Sequence, residues 1–152
     1  MSSALVVEAP RIPAMSSQAI AKVAALEALL AQAPQVPIAT HHVLHGGLYA
    51  RTIRIPAGVI LTGALIKLAT VLVVSGHVSV AIDGESVELA GYHVLPAAAN
   101  RKQAFVAHAD TDLTMIFPTT ATSVEAAEDQ FTDEADLLFS RQGENVVVIT
   151  GE

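Results

Sequence analysis

Between Leu48 and Phe117 apolar and polar residues alternate in short runs broken by Gly, Pro and Asp. The segment HVSVAIDGESVEL (77–89) shows this most plainly: Val78, Val80 and Ile82 alternate with Ser79 and Ala81, and Asp83-Gly84 suits a two-residue hairpin turn. A return strand is predicted over 85–89. GLYARTIRIPAGVIL (47–61) predicts a strand, a Pro-Ala-Gly turn and a second strand, with Arg51 and Arg54 on opposite faces. GYHVLPAAANRKQAFVAHADTDLTMIFP (91–118) predicts a short strand ending at Pro96, a loop, and two strands joined around Asp110-Thr111. Leu113, Met115 and Phe117 share one face of the last strand. Many short strands with turn residues between them predict a mainly β protein, an antiparallel sandwich or barrel.

Outside that span the period changes. In SSQAIAKVAALEALLAQ (16–32), Ile20, Val23, Leu26, Leu29 and Leu30 recur at helical spacing, Ser16 or Ser17 can cap the helix, and Pro34 and Pro37 end it. Pro10 and Pro13 make residues 1–13 an extended arm. SVEAAEDQFTDEADLLF (123–139) predicts a second helix, whole or broken, with six acidic residues and no basic one: a solvated face or, alternatively, a docking surface for a basic partner. The tail, 144–150, carries Val146-Val147-Val148-Ile149, a strand that needs an edge of its own sheet or of a neighbour's. Nothing marks a second domain. The organisation expected over 1–152 is arm (1–13), helix (14–33), barrel (41–118), acidic helix (123–139) and terminal strand (144–150).

The longest apolar run, from Ala57 to Val74, is interrupted in charge only by Lys67. A membrane helix needs roughly 20 such residues. Gly58, Gly63, Thr62 and Thr70 interrupt this one, Val and Ile are abundant, and no basic cluster flanks it. Two buried strands joined near Gly63 are predicted instead, and no membrane association.

Composition adds two expectations. Apolar residues make up 52% of the chain and charged residues 15%, so much apolar surface should be hidden in contacts between copies, as in a homo-oligomer or assembly. The net charge of −7, with scattered basic residues, argues against nucleic-acid binding. There is no cysteine, hence no disulfide or thiolate chemistry. The first residues lack the basic start and long apolar run of a signal peptide.

The "IPAG" turn at 55–58, Gly63, the Asp83-Gly84 hairpin and the strand–Pro–loop–strand of 91–108 together resemble a cupin, the small double-stranded β-barrel or jelly roll. HHVLHGGLYARTIRIPAGVILTG (41–63), GYHVLPAAANRKQAFVAHADT (91–111) and the acidic helix after them resemble small cupin-like proteins of tailed bacteriophages. The resemblance implies a cupin barrel with an N-terminal helix and a C-terminal acidic helix. It also implies a place in a virion, and in the host cytoplasm during assembly, among other virion or assembly proteins, for example as a head decoration protein.

The family's metal ligands do not carry over. Counted from Gly63, the two histidines of the first cupin motif fall on Ala69 and Val71. The second motif places Ala98 at its glycine and Arg101 at its histidine. Ile66 and Thr70 stand where the phage-type proteins often have histidines. A metal-free barrel is therefore expected, with no cofactor and no catalytic residue, acting as a structural component. The alternative is a small-ligand-binding cupin, or a cupin enzyme with a non-standard histidine site, whose barrel mouth would use Arg51, Tyr92, His93, Arg101 and His108. His93 and His108 lie in strands that could be neighbours, and with His41 or His42 they form the candidate metal set. His41 and His45 are about 13 Å apart if extended, too far to share an ion. Ser75-Gly76-His77 and Asp110-Thr111-Asp112 are expected to be turns.

Overall fold

The computed structural model describes residues 10–152. Most of the expected arm lies outside the described residues; its last part is held to the barrel, where buried Ile12 bridges to Ala97. Helix α1 (Ser17–Leu30) starts at Ser16, whose hydroxyl accepts from the Ala19 N–H at 3.1 Å. Ser16 also donates from its backbone N–H (3.0 Å) and its hydroxyl (2.6 Å) to Asp83 at the hairpin tip. The helical stripe is narrower than predicted. Val23 is buried, and Ile20 and Leu26 pack with Met15 and Ala104, but Leu29 is 66% exposed. The helix meets the sheet around residues 60–62 and Ala104, and the stripe is buried only where it does.

Eight strands follow: β1 (Thr40–His45), β2 (Leu48–Ile55), β3 (Ile60–Thr62), β4 (Thr70–Ile82), β5 (Glu85–Ala97), β6 (Ala104–Ala107), β7 (Thr111–Pro118) and β8 (Asn145–Ile149). The mainly β class expected from the pattern is observed as a curled sheet in the order β3-β6-β4-β7-β2-β1-β8, with β5 also pairing β4. All pairs are antiparallel except β1 with β8.

β4 explains the curl. On one side it pairs with β5 along its whole length. On the other, residues 71–75 pair with β7 and residues 78–81 with β6. The change of partner falls at Gly76, with φ of 146°. A Cβ there would stand 2.5 Å from Thr111 Oγ1 and 2.7 Å from the Asp110 carbonyl oxygen, so only glycine lets the chains approach this closely. Ser75-Gly76-His77 is thus the middle of a strand and not the expected turn: the ladder to β5 continues through it. For the same reason the predicted strands at 85–89 and 91–96 are one strand. In the apolar run, β3 ends at Thr62, residues 63–69 are irregular, and β4 begins at Thr70. Among the described residues no helix is long and apolar enough to cross a membrane.

Alternate residues of β4 (Leu72, Val74, Val78, Val80) point inward and join Ile55, Leu95 and Leu113 in the main core. The acidic segment is a broken helix: α2 (Val124–Phe131), capped by Ser123, then two 3-10 turns at Ala135–Leu137 and Phe139–Arg141. It forms a second core over one mouth of the barrel, with Ala127, Phe131, Ala135 and Leu138 packed on Leu44, Tyr49, Met115 and Phe117. It is not simply a solvated face. Glu128 is buried against Arg51, Glu134 pairs with Lys102 and Asp133 with Lys67. The terminal strand finds its partner within the same chain, β8 lying beside β1 from Thr40↔Asn145 to Leu44↔Ile149.

Candidate functional site inside the barrel

Where the capping segment meets the sheet, a cavity of about 120 Å³ remains. Its apolar wall includes Leu61, Leu72, Phe105, Leu113, Phe131 and Leu138. Its polar groups include Arg51, Arg101, Gln103 and Glu27.

Arg51 is inward on β2, as its register predicts, and is satisfied. It donates to Glu128 at 2.6 Å, to the Tyr49 hydroxyl at 3.2 Å and to Ser140 at 3.2 Å. Glu128 accepts in addition from Ser140 and from Arg141 Nε (2.8 Å). Burial alone would raise its pKa; the bonds from Ser140, Arg141 and Arg51 outweigh that and hold it below the usual carboxylate range. Behind Arg51 runs a buried chain. His42 bonds to the Tyr49 hydroxyl through Nδ1 at 2.6 Å and to Asn145 Oδ1 through Nε2 at 2.7 Å. Asn145 offers its oxygen, because its amide nitrogen donates to the Ser140 and Gly143 carbonyls. His42 therefore carries its proton on Nε2 and accepts from Tyr49 on Nδ1. Burial lowers the His42 pKa and raises that of Tyr49 to about 12.

Arg101 differs. Its side chain donates to the carbonyls of Leu68 (3.2 Å) and Ala98 (2.6 Å) and to the Thr70 hydroxyl (2.7 Å). No carboxylate among the described residues pairs with it. Its Nε and the Gln103 Nε2 are buried donors without a partner among the described residues. Burial lowers the Arg101 pKa to about 10, which leaves it charged at neutral pH. An uncompensated buried cation beside a second orphaned donor is costly. Lys102, between them in sequence, turns the other way and clamps Glu27 of α1 and Glu134 of the cap, each at 3.0 Å.

Of the five predicted ligand-contact residues, the structure brings Arg51 and Arg101 to this cavity and leaves three outside. Tyr92 is 70% exposed on β5. His93 donates from Nε2 to the Ala90 carbonyl at 2.9 Å. His108 is exposed and bonds Ser79 at 2.7 Å. The predicted metal set is not assembled either. His41 is exposed, His42 is locked between Tyr49 and Asn145, and His93 and His108 are not cross-strand neighbours, because β4 lies between β5 and β6. Sequence reasoning missed Gln103, Lys102, Glu128 and His77. One signal for the first two was present: Arg101-Lys102-Gln103, a polar run leading into an apolar strand, is buried in its entirety.

The cavity does not suit the metal ion that a cupin barrel implies. A divalent ion needs three or four free N, O or S ligands. This wall offers two guanidinium groups, an orphaned amide donor and one carboxylate, Glu27, already held by Lys102.

No family model matches this sequence, and no curated protein matches it. Among solved structures, the chain is similar to the Cupin_2 domain of an XRE family transcriptional regulator from Enterobacter cloacae, at 15% identity over 55% of this chain and 99% of that one, with a TM-score of 0.44. It is similar to KdgF from Halomonas sp., at 20% identity over 59% and 87%, with a TM-score of 0.46. It is also similar to salicylate 1,2-dioxygenase from Pseudoaminobacter salicylatoxidans, at 19% identity over 75% of this chain but 33% of that one, with a TM-score of 0.45. These are similarities of fold, and they supply no link to bacteriophage proteins.

Proposed function

We propose that the barrel interior binds a small organic anion, a carboxylate on a compact apolar body. The observation that carries this reading is Arg101: a buried guanidinium that has no carboxylate partner and an unbonded Nε among the described residues, on the same cavity wall as the likewise unbonded amide of Gln103. A ligand carboxylate in the cavity would neutralise the charge and, once a small side-chain shift uncovers these buried donors, accept from them. At about 120 Å³ the cavity is somewhat smaller than an engineered cavity of roughly 150 Å³ that holds benzene, which suits a short chain better than a ring, and the apolar wall would cover it. Arg101 stands where the cupin resemblance places a histidine, and a built-in cation in that place suits an anion without a metal. Arginine and glutamine orient and neutralise, but neither acts as an acid or base at neutral pH, so the reading is one of binding. Thermal unfolding of the purified protein in EDTA tests it with butyrate and benzoate against their neutral amides. A carboxylate at about 100 times its Kd should stabilise by roughly 2.7 kcal/mol. The effect should vanish in Arg101→Met and weaken in Gln103→Leu. Equal shifts with the amides, or none with any carboxylate, would overturn it.

A second reading, an assembly component, is favoured by β8. Val146, Val147, Val148 and Ile149 are each about half exposed on a strand with one edge unpaired among the described residues, a surface suited to another copy. Light scattering after size exclusion should give a homo-oligomer that Val147→Glu dissociates; a monomer at every concentration would end this reading. A place in a virion rests on the motif resemblance, and its test is the presence of the chain in purified particles.

A further inference from the structure

We propose that His77, Glu88 and His108 form a binding site for a divalent transition-metal ion on the outer face of the sheet, separate from the cavity. The three contribute one ligand atom each, all within 4.8 Å of one another. Their sequence spacing follows no motif; the sheet brings them together. On β4 the even-numbered residues Val78 and Val80 are buried, so His77 and Ser79 face outward. Glu88 lies opposite Ser79 on β5. On the other flank, the His108 backbone N–H donates to the His77 carbonyl at 2.8 Å, which seats His108 beside His77.

His77 Nε2 already meets the Glu88 carboxylate, and the His77 and His108 rings are 4.7 Å apart at their centres. Two imidazoles and a carboxylate thus present their ligand atoms to one small volume. Ligands on a tetrahedral ion with bonds of about 2.1 Å stand about 3.4 Å apart. Side-chain rotations can bring the three to that spacing, because Glu88 and His108 are exposed and His77 is partly so. Ser79, 2.7 Å from His108 Nε2, is placed to orient that ring. Two imidazoles and one carboxylate favour Zn²⁺, Co²⁺, Ni²⁺ or Cu²⁺ over Ca²⁺ or Mg²⁺, which prefer all-oxygen shells. The open side leaves room for water or a donor from another molecule.

The test is Co²⁺ titration of tag-free full-length protein, followed by its visible absorption and by calorimetry, with Zn²⁺ as competitor. One ion per chain is expected, displaced by Zn²⁺. His77→Ala and His108→Ala should each weaken binding at least about tenfold, and Glu88→Gln should weaken it as well, with thermal unfolding showing that the variants remain folded. His45→Ala, on an exposed histidine elsewhere, should leave binding unchanged. Binding that survives the His77/His108 double variant, or that His45→Ala removes, overturns the proposal, as does the lack of a one-to-one complex. The carboxylate assay in EDTA is independent of either outcome.

Discussion

The guanidinium of Arg51 on β2 and the carboxylate of Glu128 on α2 meet at 2.6 Å, with side chains 9% and 1% exposed. This contact fastens the acidic cap to the sheet and so closes one end of the barrel over its cavity. Removing Glu128 leaves the Arg51 charge buried and unpaired, whereas removing Arg51 still leaves Glu128 paired with Arg141. Glu128→Ala should therefore cost about 3–5 kcal/mol. The double replacement Arg51→Met with Glu128→Leu should cost less than Glu128→Ala alone, since it leaves no orphaned charge at Arg51, and the partly exposed Arg141 keeps Asp129 beside it. Urea unfolding of the two variants checks both statements.

Acid should loosen the same region in two steps. His42 has a lowered pKa because it is buried, so the unfolded chain takes up its proton first as pH falls below 6.5, and stability declines from there. Glu128, held below its ordinary value of 4.5, adds a further loss as pH falls below that value. Urea midpoints at about pH 7.5, 5.5 and 3.5 should fall in that order. His42→Gln should reduce the first step and leave the second.

Gly76 is where β4 changes partners. Gly76→Ala should destabilise by about 3 kcal/mol or more, because the added carbon meets the 110–111 backbone and the φ of 146° disfavours any side chain. Gly84→Ala, with open space around its Cβ, should cost less. Thermal unfolding of the two variants distinguishes a crowded strand crossing from an ordinary glycine turn.

Lys102 links α1 and the cap through Glu27 and Glu134. Lys102→Met should cost about 1–3 kcal/mol and expose the 132–142 segment to proteolysis before the sheet opens. Limited proteolysis with mass spectrometry reads this directly. Cleavage that begins in the sheet would show that the cap is held mainly by its apolar contacts.

The local pattern was enough for much of the fold. Alternation in 77–89 with Asp83-Gly84 marks the β4–β5 hairpin, and the Ser16 cap marks the start of α1. These signals are legible because a strand or helix needs one face buried, and period and capping follow from that within a few residues. Length and exposure of elements were less so. β4 and β5 pass straight through Gly76 and Gly91, which read as breaks in sequence, because ladder partners on both sides of β4 hold the chain extended. The candidate sites depended on the tertiary structure almost entirely. Arg51 could be placed on a face of its strand, but only packing decided that Glu128 neutralises it while Arg101, at the same cavity, pairs with no carboxylate among the described residues. His93 and His108, equivalent by pattern, separate because β4 intervenes, and His77 and Glu88 join His108 because that same strand and its neighbour carry them. Sequence determines which residues can share a face; strand order, set by closure of the whole sheet, decides which of them meet.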